Sequence, residues 1–135
     1  MYKTQVQSKT RHEMIDITGI VKDVLKQHPI KDGICILFVP HTTAALTINE
    51  NADPDVQSDL LSGLERLAVH KDYLHVEGNS DAHLKSSLLG CSQIILVNQG
   101  ELVLGTWQGI FLAEFDGPRN RSIIIKIIKD VSVDD

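Results

Sequence analysis

The chain lacks the features that mark several large classes of protein. Its 135 residues include two cysteines, 4% aromatic residues, and 13 basic residues against 18 acidic ones, for a formal net charge of −5. A general binder of nucleic acid or anionic membranes needs a basic face, so this charge balance argues against both. No apolar run approaches the roughly 20 residues that cross a bilayer, and residues 1–19 lack the apolar core of a signal peptide. We therefore expect a cytosolic protein that binds neither nucleic acid nor membranes.

Motifs of nucleotide binding and of nucleophilic hydrolysis are missing as well. Gly100 and Gly105 have the spacing of a phosphate-binding Walker loop, but Thr106 follows where that loop needs lysine. The sequence contains neither a GxSxG elbow nor a CxxC pair. Cys35 and Cys91 both stand in apolar surroundings, which predicts two buried thiols rather than a disulfide.

The composition that is present predicts one folded domain. A content of 42% apolar and 23% charged residues is typical of a globular protein, and 135 residues leave little room for a second core. We therefore assign residues 1–135 to a single domain.

Hydrophobic periodicity predicts more strands than helices. Strands are predicted at 2–8, 12–18, 33–40, 43–48, 92–98, 101–105, 108–115 and 121–128, the last four as a meander. Helices are predicted from Thr18 to Gln27, from Asp53-Pro54 through Leu67, and, as a short third, from Ser80 or Asp81 to Leu89. The expected class is α+β, with a largely antiparallel sheet, two main helices and a short third helix.

Three of the six histidines stand near the ends of predicted elements. His41 follows the apolar strand that ends at Pro40, and His75 and His83 flank the start of the short helix. Imidazole is the commonest side-chain metal ligand, so these three could hold a divalent ion, with Glu77 or Asp81 orienting them. Single histidines near loops are more often surface or structural groups, and both interpretations stay open.

A second polar group occupies the stretch from Thr42 to Asp53. Glu50 is the member we would assign as an acid, a base or an ion ligand, because Asn49 and Asn51 bracket it at a strand-to-helix junction. Asp53 can instead cap the helix, the two asparagines can close turns, and Thr42 can be an ordinary strand residue.

Two arginines and the tryptophan complete the candidates. Arg119 and Arg121 flank a tight turn and could hold phosphate, with Lys85 as an addition, although a solvated turn fits equally well. Trp107 stands between two glycines, where core packing is favoured over a role in a pocket wall.

Three stretches, "HTTAALTINENADPD", "HVEGNSDAHLKSSLLG" and "GTWQGIFLAEFDGPRNR", together resemble the YjbQ-like family, which has been linked to secondary thiamine-phosphate synthase activity. The resemblance covers nearly the whole chain and implies an α+β fold, a homotrimer, and a metal-binding cleft near the subunit boundary. The matching positions are His41, Thr42, Asn49, Glu50, Asn51, Asp53, His75, His83, Lys85, Trp107, Gln108, Glu114 and Arg121.

The implied reaction joins a hydroxymethylpyrimidine diphosphate to a thiazole phosphate and releases pyrophosphate. In that scheme His41, His75 and His83 hold the ion, Glu50 and Asp53 position it or a water, and Lys85 and Arg121 meet phosphate. Histidine ligands suit zinc or a similar ion better than magnesium, which favours a rival metal-dependent hydrolase of a small phosphorylated or acyl substrate. A third alternative is a trimeric binding protein without catalysis.

Overall fold

A computed structural model describes residues 1–68 and 70–131 of the chain. Its strands are β1 Tyr2–Gln7, β2 Glu13–Asp16, β3 Gly33–Phe38, β4 Ala44–Glu50, β5 Ser92–Asn98, β6 Glu101–Leu102, β7 Gln108–Glu114 and β8 Asn120–Lys129. Its helices are α1 Thr18–Gln27, α2 Pro54–Leu67 and α3 Ser80–Leu89. The predicted α+β class, the antiparallel pairing and the three helices are confirmed.

The strands form two antiparallel sheets rather than one. The larger sheet has the order β1-β8-β3-β5-β6, and the smaller has the order β2-β7-β4. The predicted meander of the last four strands is therefore wrong beyond the β5-β6 hairpin. Residues 109–115 are buried without interruption, so β7 is covered on both faces, by the larger sheet and α1 on one side and by α2 and α3 on the other.

Two apolar clusters hold these layers together. The larger cluster joins buried residues of both sheets with α1, including Leu37, Leu46, Ile110 and Ile123. The smaller cluster, formed by Ala45, Ala82, Ala113 and Phe115, lies where α2 and α3 cover the smaller sheet. Small residues on β4, β7 and α3 let the helix approach the sheet closely, which fixes the position of the α3 N-terminus.

Two predictions of burial are wrong. Cys35 is buried in β3 as expected, but Cys91 is exposed just after α3. Trp107 is 62% exposed, because the turn between β6 and β7 carries it outward instead of into the core. None of the described helices has the length and apolar character needed to cross a membrane.

The predicted helix start at the junction of β4 with α2 is confirmed. Asp53 is the N-cap of α2, where its Oδ1 accepts a hydrogen bond of 2.9 Å from Asp55 N, and Pro54 is the first helical residue. On the neighbouring strand Gly109 packs directly against the side chain of Asn51. A larger residue at position 109 would displace that side chain.

We predict opposite effects for two glycine substitutions. In Gly109→Ala the new Cβ would lie 2.6 Å from Asn51 Cβ, so the free energy of unfolding should fall by about 1–3 kcal/mol. Gly63→Ala in α2 meets open space and should raise the free energy of unfolding by about 0.5–1 kcal/mol. Urea denaturation measures both, and equal effects would contradict the packing described.

Candidate functional site

A surface cavity of about 420 Å³ brings together residues that are far apart in the sequence. We name it the histidine cavity, after His41, His75 and His83, and its wall also contains Asn79, Arg119 and Arg121. His41 precedes β4, His75 lies in the loop before α3, and His83 lies in the first turn of α3. The structure therefore gathers the three predicted histidines with both predicted arginines.

Strand register explains why the arginines join this cavity. Ala44 at the start of β4 pairs with Glu114 at the end of β7, so His41 and the turn that follows β7 lie at the same end of the smaller sheet. Arg119 is in that turn and Arg121 is the second residue of β8. The chain passes from β7 of the smaller sheet to β8 of the larger sheet through a short turn, and this places both arginines beside His41.

A buried ion pair fixes the guanidinium of Arg121. Its Nε donates to Glu114 Oε1 at 2.8 Å and its Nη2 donates to Glu114 Oε2 at 2.5 Å. Nη2 also donates to Thr43 Oγ1 at 2.9 Å, and Ser8 Oγ donates to Glu114 Oε1 at 2.7 Å. Glu114 and Arg121 are 0% and 4% exposed, so this bidentate pair is withdrawn from water.

The same contacts keep Glu114 ionised. Burial acts to raise the pKa of Glu114, but the hydrogen bonds from Arg121 and Ser8 outweigh it, and the net pKa lies below the ordinary value. Backbone N–H groups of Phe115 and Asp116 also donate to Oε2, at 3.1 and 3.0 Å. The carboxylate on β7 therefore ties the segment just after β1 to β8, next to the cavity wall at Arg121.

His41 is held in one tautomer. Its Nε2 accepts a hydrogen bond of 2.8 Å from the backbone N–H of Ser122, so in the neutral ring the proton must be on Nδ1. Burial, and after it the positive charge of Arg121, lowers the pKa of His41 below its ordinary value. Near pH 7 the residue is a neutral N–H donor rather than a charged group.

His75 and His83 are close enough to share a ligand. Their rings meet edge to face with centroids 5.5 Å apart, while His75 Nδ1 lies 3.2 Å from Ser80 Oγ and His75 Nε2 lies 3.6 Å from a Glu77 oxygen. Two imidazoles that bind one zinc ion at about 2.0–2.1 Å have centroids roughly 5 Å apart. The spacing of the His75 and His83 rings is close to this value, but both ring nitrogens of His75 already face Ser80 and Glu77. His41 could bind an ion only if its ring turned away from Ser122.

Among the described residues, the one group of three metal-ligating side chains within 4.8 Å lies elsewhere and consists of His12, Glu65 and Asp81. The ammonium of Lys85 already occupies it. Lys85 Nζ donates to Glu65 Oε2, lies 3.2 Å from Asp81 Oδ2, and is 3.4 Å from His12 Nε2. A lysine therefore supplies the cation that a metal would supply.

The structure does not bring Lys85 to the histidine cavity. Its side chain is 1% exposed and pairs with carboxylates on α2 and α3, so it braces the two helices instead of facing a phosphate. The sequence showed the helix position of Lys85 but not which face of α3 would be covered.

The predicted group around Glu50 is also separate from the cavity within one chain. Glu50 pairs with Gln108 at the far end of β4, six residue steps from Ala44, which corresponds to about 20 Å. Asn49, Asn51, Asp53 and Trp107 belong to the same far end. Thr42, next to His41, is the one predicted catalytic residue that lines the cavity.

Local hydrogen bonds explain several residues of that far end. Asn49 Oδ1 accepts from Glu50 N at 2.7 Å, Asn51 Nδ2 donates to Asp16 Oδ2 at 3.2 Å, and Gln108 Oε1 accepts from Gly105 N at 2.7 Å. These contacts order the turns around Trp107. The carboxylate of Glu50 makes no hydrogen bond within the part of the chain that the structure describes.

Sequence reasoning missed Asn79 and Asp116 as polar residues of the cavity wall. Asn79 is the N-cap of α3, where its Nδ2 donates to Asp116 Oδ2 at 2.8 Å and its Oδ1 is buried without a partner. Asp116 Oδ2 also accepts from Arg119 Nη2 at 3.0 Å. An asparagine before a helix is so common as a cap that its spacing alone would not have singled it out.

Comparison with known proteins identifies relatives over almost the whole chain. The family model described as "UPF0047 protein YjbQ-like" matches residues 2–130. A UPF0047 protein of Methanocaldococcus jannaschii is 51% identical over 131 residues, covering 96% of this chain and 95% of the relative. The UPF0047 protein YugU of Bacillus subtilis is 49% identical over 131 residues, covering 95% and 99%.

Solved structures agree with this comparison. An uncharacterised protein of the YjbQ/UPF0047 family from Clostridium acetobutylicum superimposes with a TM-score of 0.93 at 49% identity, covering 95% of this chain and 100% of that one. A YbjQ-like protein of unknown function from Sulfolobus solfataricus superimposes with a TM-score of 0.92 at 35% identity, covering 96% of each chain.

We predict that Glu114→Gln destabilises the protein strongly. The amide keeps the shape of the side chain but leaves the buried guanidinium of Arg121 without its counter-ion, which should lower the free energy of unfolding by about 3–5 kcal/mol. The matched change Glu101→Gln, at an exposed position, should stay within about 0.5 kcal/mol of the parent. Guanidinium denaturation distinguishes them, and a small effect of Glu114→Gln would contradict the role of the pair.

Proposed function

The chain belongs to the YjbQ-like UPF0047 family, and we propose that it binds a small phosphorylated substrate in the histidine cavity. The proposed reaction is that of a thiamine-phosphate synthase: joining a hydroxymethylpyrimidine diphosphate to a thiazole phosphate and releasing pyrophosphate, as an activity secondary to another physiological role. The observation that carries the proposal is the convergence of three histidines and two arginines on one cavity.

The charges around the cavity imply a further cation. Arg119 and Arg121 are opposed by three carboxylates, those of Glu77, Asp116 and the underlying Glu114. With neutral histidines the site is net negative and would repel a diphosphate. A divalent ion, zinc or a similar transition ion, held by His75 and His83, with His41 joining after its ring turns, would neutralise the leaving diphosphate.

The side chains of the cavity have distinct proposed roles. The hydrogen bonds of Arg121 within the described residues engage Nε and Nη2, which leaves Nη1 for a phosphate oxygen. Arg119, whose side chain is 53% exposed, can turn toward a second phosphate oxygen. As long as Nε2 of His41 accepts from Ser122, its Nδ1 proton can be donated as a hydrogen bond to an anionic oxygen without adding charge, a role that is the alternative to binding the ion.

We further propose that Glu50, Asp53, Asn49, Asn51, Trp107 and Gln108 contribute to this site from a neighbouring copy in a cytosolic homotrimer. Within one chain they lie at the opposite end of β4 from His41. An apolar surface is available for such assembly, since Phe38, Ile94 and Leu96 on the larger sheet are 40%, 62% and 59% exposed.

A metal-dependent hydrolase is the second candidate, and the openness of the cavity favours it. The side chains of Glu77 and Arg119 on its rim are 73% and 53% exposed, so water reaches the site freely. A pyrimidine methylene that becomes cationic would be intercepted by that water unless a second substrate or a neighbouring copy covered the cavity.

We predict metal-dependent turnover that requires the cavity residues. Protein purified without a histidine tag is loaded with zinc or manganese and supplied with both phosphorylated substrates, and thiamine phosphate and pyrophosphate are measured. His83→Ala and Arg119→Ala should each reduce the rate by about 100-fold or more, as expected for loss of a charge-stabilising group. His28→Ala and Arg66→Ala, which alter residues outside the cavity, are the matched controls and should retain the parent rate.

The same assay separates the alternatives. Release of phosphate or pyrophosphate from the pyrimidine substrate alone would identify the hydrolase. Binding of pyrophosphate without any turnover would leave the non-enzymatic binding protein as the explanation. No binding and no turnover, with or without metal, would contradict the assignment of a phosphate site to this cavity.

A further inference from the structure

Helix α2 covers part of the smaller sheet without burying any of its own residues. Leu61 and Leu64 pack against the smaller apolar cluster, but both side chains are only half-buried. A helix of 14 residues with an apolar side normally directs that side into the core. Part of the apolar surface of α2 therefore has no partner in the described part of the chain.

A second apolar stripe runs along α2 beside the one that contacts the sheet. Its members follow one another at intervals of four, three and four residues, which places them on one side of the helix: Val56, Leu60, Gly63 and Leu67. Leu67 is 71% exposed, and Val56 and Leu60 are half-buried. We name these four residues the α2 seam, because this spacing is the heptad pattern of helices that pair along their length.

The α2 seam faces away from the rest of the helical layer. On one side of α2, Glu65 contacts Lys85 of α3. The α2 seam lies on the opposite side of the helix, about half a turn from Glu65. Beneath α2 lies β2, which is an edge strand of the smaller sheet. The seam is therefore at an open edge of the molecule, where another helix can approach it.

Gly63 leaves a gap in the middle of the α2 seam. A Cβ atom at this position would meet no other atom within 4 Å, so the packing of the chain does not require a glycine here. Glycine in the interior of a helix lowers its stability relative to alanine. A side chain from another molecule that fills the gap would account for a residue that weakens its own helix.

The charges beside the α2 seam indicate which helix fits it. Asp59 and Arg66 each precede a leucine of the seam, so both lie along the same exposed border. Neither side chain forms an ion pair within residues 1–68 and 70–131. When two copies of α2 pair antiparallel, this border faces its own counterpart, and Asp59 of each copy meets Arg66 of the other. In a parallel pair it would face the opposite border, where Gln57 and Leu64 stand.

We infer that α2 binds the α2 of a second copy of this chain in an antiparallel pair with twofold symmetry. Leu60 of each copy enters the gap at Gly63 of the other. Val56 of each copy packs against Leu67 of the other, and the two ion pairs form along the exposed border. The seam is short, so the contact is weak and reversible.

This contact is separate from the assembly and the function proposed above. The α2 seam lies outside the smaller sheet, whereas the proposed homotrimer uses the exposed face of the larger sheet. Both assemblies can therefore form together. The inference does not depend on the proposed function, because the seam contains no residue of the histidine cavity.

Charge reversal tests the antiparallel pairing. Arg66→Asp and Asp59→Arg should each weaken association between identical chains by at least about tenfold, because each sets like charges opposite one another. An equimolar mixture of the two variants should associate again, since each supplies the charge that the other lacks. Lys26→Asp, in the last turn of α1, makes the same charge change at another exposed helix end and is the matched control.

Sedimentation velocity at about 5 to 500 µM protein measures the mass of each assembly. At the highest concentration the parent, the Lys26→Asp control and the mixture should reach twice the mass of either reversal variant alone. Equal masses for the parent and the reversal variants would overturn the α2 pair. A mixture that stays at the mass of the separate variants would overturn its antiparallel arrangement.

A substitution at the gap gives an independent readout. Gly63→Gln should raise the melting temperature at the lowest concentration, because glutamine is a better helix former than glycine. The same change should weaken association by at least about tenfold, because its side chain occupies the space meant for Leu60 of the second copy. A higher melting temperature shows that the variant is folded, and unchanged association in that variant would refute the role given to the gap.

Discussion

The buried pair of Glu114 and Arg121 is the interaction on which the rest of the site depends. Two charges withdrawn from water are tolerated only if they meet each other and if their remaining donors and acceptors are satisfied. Here Ser8, Thr43 and two backbone N–H groups complete that shell. The pair connects the end of β7 with the start of β8, where the chain passes from one sheet to the other.

The position of Arg121 in this pair also affects the charge state of His41 in the cavity. The charge of Arg121 helps to keep His41 neutral, and the Ser122 N–H that fixes the tautomer belongs to the residue after Arg121. A neutral donor, a held guanidinium and a close histidine pair suit the recognition of an anionic oxygen together with a cation.

Much of the fold could be predicted from the sequence because its local signals agree with the tertiary structure. The apolar run 33–38 became a central strand, and Asp53-Pro54 began a helix in the predicted manner. The single sheet was wrong because neighbouring strands in the sequence need not pair. β7 is buried along almost its whole length and pairs with β2 and β4 in the smaller sheet, so it does not continue the predicted meander.

Members of the site could be predicted from the sequence only where a residue of suitable chemistry also stands at the end of a strand or helix. The three histidines line one cavity, as their positions at element ends suggested, and Arg119 and Arg121, for which a solvated turn fitted equally well, line it too. Lys85 and Glu50 did not join them, because the covered face of a helix and the length of β4 are not visible in residue types. Asn79 was overlooked because asparagine is ordinary at the start of a helix, and only its unpaired Oδ1 distinguishes it.

The most direct test of this account is the protonation state of His41, measured by nitrogen-15 NMR of the imidazole rings in the intact protein at pH 7. The account predicts a neutral ring with its proton on Nδ1 and with Nε2 accepting a hydrogen bond from Ser122. A ring protonated on Nε2, or one that titrates above the ordinary value of about 6.5, would contradict it.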